Sequence, residues 1–274
     1  MEKVCSIIGI IVSFFLLALS TSASALPYSY DTGNEGWQQA YVGRPAGGPG
    51  YDTLFSNTPA DWRATGGHSD GNIYQAANGI NQRAYWMGYM GDNHLGDVTG
   101  MQLQTDIYST NNWKTIADGR YGDDGNVYAR WVIANEVNSG LYNMYVSTAA
   151  QSVDINNLAG WETHSIEMLE ENFLRWPNSD AGTQNFNELL TDYDSIGLYL
   201  FSGTDVISNI NGGSGTWGDS SRLLHYGAYS RDGEEAIWAL DNFKAEPVPE
   251  PATFLLFGVG IAGLAGLRLK KQKR

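Results

Sequence analysis

The stretch Met101-Gln-Leu-Gln-Thr-Asp-Ile-Tyr108 alternates in character at every step. In an extended chain, Met101, Leu103, Thr105 and Ile107 fall on one side, and Gln102, Gln104, Asp106 and Tyr108 on the other. A period of two is the mark of a strand with one buried face. Outward from this stretch the same pattern returns. Short runs rich in Tyr, Ile, Val and Trp are separated by clusters of Gly, Asn, Asp and Ser. These predict strands over 36–42, 72–76, 84–90, 101–108, 127–134, 141–147, 162–168, 195–201 and 237–245. In 127–134, Tyr128, Arg130 and Val132 alternate with Val127, Ala129, Trp131 and Ile133, which predicts a strand partly covered on both faces. The fold class expected is all-β: an antiparallel β-sandwich of jelly-roll type, with its two sheets about 10 Å apart. Only residues 185–193 read as helical, for one or two turns lying across a sheet edge. Two loops, 43–58 and 208–221, are rich in Gly and long enough to suggest function or motion. No fixed-period repeat is visible.

Both ends of the chain differ from its middle. Lys3 precedes an almost unbroken apolar run over residues 4–19, and Ala23-Ser24-Ala25 supplies small residues in the A-x-A arrangement. That is the form of a secretory signal peptide, residues 1–25, with cleavage after Ala25; the alternative is a signal anchor. At the other end stand Pro249-Glu250-Pro251, then an uncharged apolar run over 252–267, then Arg268, Lys270, Lys271, Lys273 and Arg274. As a helix, the run is somewhat short for a bilayer core of about 30 Å, a gap that snorkelling of Arg268 and Lys270 narrows. The basic end belongs on the cytoplasmic side, which puts everything before Pro249 across the membrane.

Between the two ends lie about 220 residues, enough for one large domain, expected over 26–246 and followed by a tail signal over 247–274. Of the 16 Lys and Arg residues, ten fall between positions 26 and 248; of the 30 Asp and Glu residues, 28 do, so this portion carries a net charge of −18. Nucleic-acid binding, which needs a basic footprint, is not expected. Divalent cations or neutral sugars suit such a surface better, and solubility alone also explains it. The one cysteine, Cys5, lies in the signal. Stability must therefore come from a core, and from metal if one binds, rather than from disulfides.

The tail, with Pro249-Glu250-Pro251, the apolar run and the basic end in that order, resembles the PEP-CTERM sorting signal of Gram-negative bacteria that make extracellular polysaccharide. The resemblance implies recognition and removal by an exosortase-type enzyme of the inner membrane, transient anchoring by a transmembrane helix, and a final place at the cell surface or in an extracellular matrix. A permanent anchor is the alternative. The middle of the chain resembles carbohydrate-binding-like jelly rolls, including the laminin domain IV type. The residues that carry this are Tyr30-Asp31-Thr32-Gly33 with Glu35-Gly36-Trp37, then 66–74 (GGHSDGNIY), then Trp161, Trp176, Phe186, Leu189, Leu190 and 195–198, then Ala239-Leu240-Asp241-Asn242-Phe243. Ser69-Asp70 departs from the usual Asn-Pro, and the two long loops are extra.

That second resemblance implies a structural calcium ion between the first and last strands, with Asp31 and Asp241 converging on it and backbone oxygens near Gly33 and Asn72 completing the shell. The plainer roles are a turn at Asp31 and a capping contact at Asp241. The acidic patch 118–126 lacks the spacing of a calcium loop and reads as a hairpin turn between Trp113 and Tyr128. For sugar, the expected devices are indole or phenol faces that stack on a pyranose ring, with nearby polar groups for its hydroxyls. Trp62, Trp113, Trp176 and Trp217 stand in polar or loop contexts and are the candidate platforms, although each can also pack beneath its own loop. Trp37, Trp86, Trp131, Trp161 and Trp238 are expected in the core. No enzyme is expected. His68, His94, His164 and His225 show no metal spacing, there is no Gly-x-Ser-x-Gly elbow, and Glu162 and Glu167 point to opposite faces of one strand. The function expected is therefore a non-catalytic surface or matrix protein associated with exopolysaccharide. A polysaccharide hydrolase or lyase, which needs paired carboxylates in a cleft, and a purely structural biofilm component are the alternatives.

Overall fold

The computed structural model describes residues 26–43, 53–54, 58–68, 70–78, 82–90, 95–114, 126–138, 141–175, 184–202, 229–230 and 235–248. Among these, two antiparallel sheets face each other across one core, as the alternation anticipates. The first sheet carries β13 (Glu162–Glu167), β8 (Met101–Ser109), β17 (Glu235–Pro247), β6 (Asn72–Asn78) and β5 (Asp61–Arg63) side by side, with β1 (Leu26–Tyr28) also on β17. The second runs β14 (Phe173–Arg175), β11 (Leu141–Ser147), β10 (Val127–Asn138), β15 (Ser195–Ser202), β7 (Gln82–Met90), β2 (Trp37–Gly43) and β3 (Thr53–Leu54). Beside this path, β12 (Val153–Asp154) pairs with β10 and β4 (Thr58–Pro59) with β2. The result is an antiparallel β-sandwich of jelly-roll type.

Each of the nine strands read from the sequence forms, and seven of them run one to four residues further. The short β1, β3, β4, β5, β12 and β14 went unread, because two or three residues show no period. Among the described residues, the strands on either side of the hairpin expected between Trp113 and Tyr128 do not pair with each other. β9 (Trp113–Lys114) pairs instead with β16 (Tyr229–Ser230), and β10 pairs with β11, β12 and β15. The acidic patch itself lies almost wholly outside the described residues, as do most of the loop 43–58, all of 208–221, and the expected signal and transmembrane helices. Among the described residues no helix is long and apolar enough to cross a membrane.

The core is aromatic. Trp37 packs on Tyr89 and Phe243 with ring centroids 5.2 and 5.1 Å apart, and Phe243 in turn meets Trp131. β8 behaves as its alternation requires, with Leu103, Thr105 and Ile107 fully buried. The expected helical stretch holds one short helix, α1 (Phe186–Leu189), opened by a capping box. Asn185 accepts from the Glu188 N–H, while the Glu188 carboxylate accepts from the Asn185 N–H. Phe186 and Leu189 are buried from it.

β10 is covered on both faces. Its inner set Val127, Ala129, Trp131 and Ile133 joins the core. Its outer set includes Arg130, Val132 and Ala134, which are also buried. On that outer face, Trp86 of β7 stacks on Tyr199 of β15 at 5.5 Å, and the Arg130 guanidinium lies over the Phe201 ring at 5.6 Å. β7 and β15 approach closely at Gly88, which stands opposite Gly197.

Candidate functional site

The register of the first sheet settles which side chains share its outer face. Thr163 stands opposite Asp106, and Asp106 opposite Asp241. One step along, Tyr108 stands opposite Ala239, Ala239 opposite Tyr74, and Tyr74 opposite Asp61. Tyr108 and Tyr74 are thus two strand spacings apart, about 10 Å. Only the methyl of Ala239 lies between them. Trp161, just before β13, leans on Tyr108 with centroids 5.4 Å apart, and the Arg63 guanidinium lies over the Tyr74 ring at 3.8 Å. Trp161, Tyr108 and Tyr74 are half-buried rather than enclosed. Together they form an aromatic trough across the open face of this sheet.

Beside the trough lies an acidic pair. Asp106 and Asp241 are directly opposed on one face, an arrangement that repels unless donors intervene. Here they do. Thr163 Oγ1 donates to Asp106 Oδ1 at 2.6 Å, Asn242 Nδ2 donates to Asp106 Oδ2 at 2.8 Å, and His68 Nδ1 lies 2.7 Å from the same oxygen. The Asn242 N–H donates to Asp241 Oδ1 at 2.7 Å. Burial pushes the Asp106 carboxyl up, but the hydrogen bonds from Thr163, Asn242 and His68 outweigh it and hold the group below its ordinary value. A bulge in β17 allows this: the register slips between Asp241 and Lys244, and Asn242 takes a left-handed backbone, which Asn tolerates.

His68 sits above this pair. Its side chain is 52% exposed, and its ring lies parallel to that of Trp161, with centroids 6.4 Å apart and planes 4° apart.

The structure distributes the candidate residues unevenly. Trp62 is 38% exposed on the edge strand β5, and its indole N–H donates to the Tyr30 carbonyl. Trp113 is fully buried, with Nε1 donating to Ser109 Oγ at 2.8 Å, so it is a core residue and not a platform. Trp161, expected in the core, is the indole that reaches the open face. Trp176, Trp217, Ala23, Ala25, Pro249, Glu250 and Pro251 lie outside the described residues. Asp31 is exposed after β1 and accepts from Ser29 Oγ at 2.8 Å; Asp241 is fully buried. Because Tyr28 pairs with Phe243 in antiparallel register, both carboxylates lie at the same end of the β1–β17 pair.

Oxygen atoms gather at that end around two glycines. A Cβ on Gly67 would meet the Gly71 carbonyl oxygen and would lie 2.8 Å from Asp241 Oδ2; a Cβ on Gly71 would meet the Tyr30 carbonyl oxygen. Such a donor set suits a hard cation, although no group of three His, Cys, Asp or Glu side chains clusters for a metal among the described residues. Nearby, burial pushes the Glu35 carboxyl up; a hydrogen bond with the Tyr30 backbone opposes this and the Asp31 charge adds to it.

Among proteins of known family, residues 247–271 match the PEP-CTERM protein-sorting motif. The chain carries that motif. No curated protein matches the chain. Among solved structures, it is similar to the family 11 carbohydrate-binding module of the cellulosomal cellulase Lic26A-Cel5E of Clostridium thermocellum. That likeness has 14% identity and a TM-score of 0.43, covering 84% of this chain and 99% of that one. It is also similar to a family 11 module from Clostridium thermocellum in complex with a β-1,3-1,4-mixed-linked tetrasaccharide, with 14% identity and a TM-score of 0.41, covering 83% and 98%. Likeness at this level does not transfer a ligand.

Proposed function

We propose that this PEP-CTERM-bearing chain is an exported, non-catalytic protein that binds neutral glycan along the open face of its six-stranded sheet. The observation that carries the reading is the trough of Trp161, Tyr108 and Tyr74. Half-exposed aromatic faces in line, with polar groups beside them, are what a chain of pyranose rings needs. The corresponding aromatics of the other sheet, Trp86 and Tyr199, are buried and offer no such surface. Against catalysis stands the fate of the paired carboxylates. Asp106 commits both oxygens to protein donors, and Asp241 has no solvent access, whereas glycoside hydrolysis needs two carboxyl groups that reach the substrate.

The tail assigns the address. An exosortase-type enzyme of the inner membrane would read residues 247–274 after export through the signal at 1–25, leaving residues 26–246 as one domain at the cell surface or in an exopolysaccharide matrix. A structural calcium ion is proposed at the Gly67–Gly71 oxygens, with the Asp241 carboxylate as its anchor and Asp31 beside it. Calcium should then raise the melting temperature relative to a chelator, and Asp241→Asn should remove the difference. Equal melting in both buffers would sink the metal.

The test of the binding reading is a glycan array probed with residues 26–248, in calcium and in chelator, beside the variants Trp161→Ala and Trp86→Ala. Binding that Trp161→Ala abolishes and Trp86→Ala spares is expected. Loss only with Trp86→Ala would move the site to the other sheet. No binding by the parent protein would favour a purely structural matrix component.

A further inference from the structure

The histidine beside the trough has one nitrogen committed and half of its side chain in solvent. Nδ1 lies 2.7 Å from Asp106 Oδ2. A carboxylate can only accept, so Nδ1 must carry the proton. Which nitrogen of a neutral imidazole is the acceptor is fixed by the bond the other makes, so Nε2 is left as a bare lone pair. The Asp106 carboxylate is in turn held by Thr163 and Asn242, both at or below 2.8 Å, which fixes the acceptor that the ring meets. The ring is parallel to the Trp161 indole, the aromatic that leans on Tyr108.

We propose that His68, held by Asp106, is a specificity-determining residue of the trough, whose Nε2 accepts a hydrogen bond from a sugar hydroxyl and so selects uncharged glycans over uronate-bearing ones. This rests on the glycan-binding reading above and names the ligand class of that site. The selection has two parts. At the position facing Nε2 a hydroxyl can donate, whereas a carboxylate in its place cannot. Behind the imidazole stands the Asp106 carboxylate, 2.7 Å from Nδ1, which repels an incoming carboxylate. A donor-free acceptor backed by buried negative charge is therefore a filter as well as a contact.

The test prints neutral oligosaccharides and uronate-bearing ones of matched length on one array at pH 8. The full exported portion is probed as parent protein, as His68→Asn and as Trp161→Ala. Asparagine keeps a donor for Asp106 but has nothing at the Nε2 position. The expected result is parent signal confined to neutral glycans, with His68→Asn weakened about fivefold to tenfold, the effect of one lost hydrogen bond. Nitrogen-15 spectra of the parent, taken without ligand, should show the Nδ1–H tautomer at His68. Equal parent signal on uronates, or His68→Asn binding as well as the parent while Trp161→Ala does not, overturns the inference and leaves the glycan site standing. A parent that binds nothing overturns both. The Nε2–H tautomer at His68 overturns the inference alone.

Discussion

Trp113 lies between Asn112 and Lys114, yet it is one of the most deeply buried side chains of the molecule. Its indole N–H finds Ser109 Oγ, and Asn156 Nδ2 donates to its carbonyl at 2.8 Å, so polar neighbours serve the burial rather than solvent contact. Trp161 is its counterpart, an indole with an apolar reading that ends on the open face. The two should separate in experiment. Trp113→Ala should cost about 3–5 kcal/mol in chemical denaturation and leave glycan preference unchanged, whereas Trp161→Ala should do the reverse. His164 gives a pH prediction. Its ring stacks near Trp131, at 6.4 Å, with Nε2 buried and unpartnered. Burial lowers its pKa from 6.5 to about 4, against a hydrogen bond with the Gln151 backbone that works the other way. Above pH 6.5 the imidazole is neutral whether folded or not, and contributes nothing to pH dependence. As pH falls from 6.5 toward 4, the unfolded chain takes a proton that the folded one refuses, and stability should decline by up to about 3 kcal/mol. Denaturation midpoints between pH 7.5 and 4.5 should show this slope, and His164→Phe should flatten it.

At the scale of elements, β7 and β15 approach each other closely in the second sheet. A Cβ on Gly197 would meet the Met87 carbonyl oxygen and lie 2.5 Å from the Gly88 Cα. That demand is backbone against backbone, so no side chain can swing away from it. Gly197→Val should therefore force the two central strands apart and destabilise by about 3 kcal/mol or more, read as a lower melting temperature; a silent substitution would mean that the pair is more loosely packed. The helix α1 is stabilised by its cap more than by its length. Asn185→Ala should cost about 1 kcal/mol in the same assay. Residues 185–193 read as helical from the sequence, and the capping box at Asn185 and Glu188 is the local device that opens the helix there. β5 was not legible: Asp-Trp-Arg has no period, and only its pairing with Asn72, Ile73 and Tyr74 makes it a strand.

For the whole molecule, the sorting motif at 247–271 stands apart from the sandwich in sequence. The tail works as a linear signal, so Pro249→Ala with Glu250→Ala and Pro251→Ala should leave folding and glycan binding intact and stop release from the inner membrane. Cell fractionation checks this: unchanged delivery to the surface or medium would remove the sorting enzyme from the account. The alternation from Met101 to Tyr108, repeated along the chain, carried the architecture, because a period of two with one apolar set has few ways to hide that set other than a second sheet. The charge balance directed attention to neutral ligands and cations for an equally global reason. The sorting motif at 247–271 was complete in the sequence, since such a tail is recognised as composition and order, apart from folding. What only the tertiary structure decided is which side chains share the outer face of the first sheet. Tyr74, Tyr108 and Trp161 lie 34 and 53 residues apart in sequence, and Asp106 meets Asp241 from 135 residues away. Their meeting is set by strand order and register, through one bulge at Asn242. Cross-strand neighbours leave no mark on local periodicity, so a single sequence specifies the faces of its strands without stating which faces become one surface.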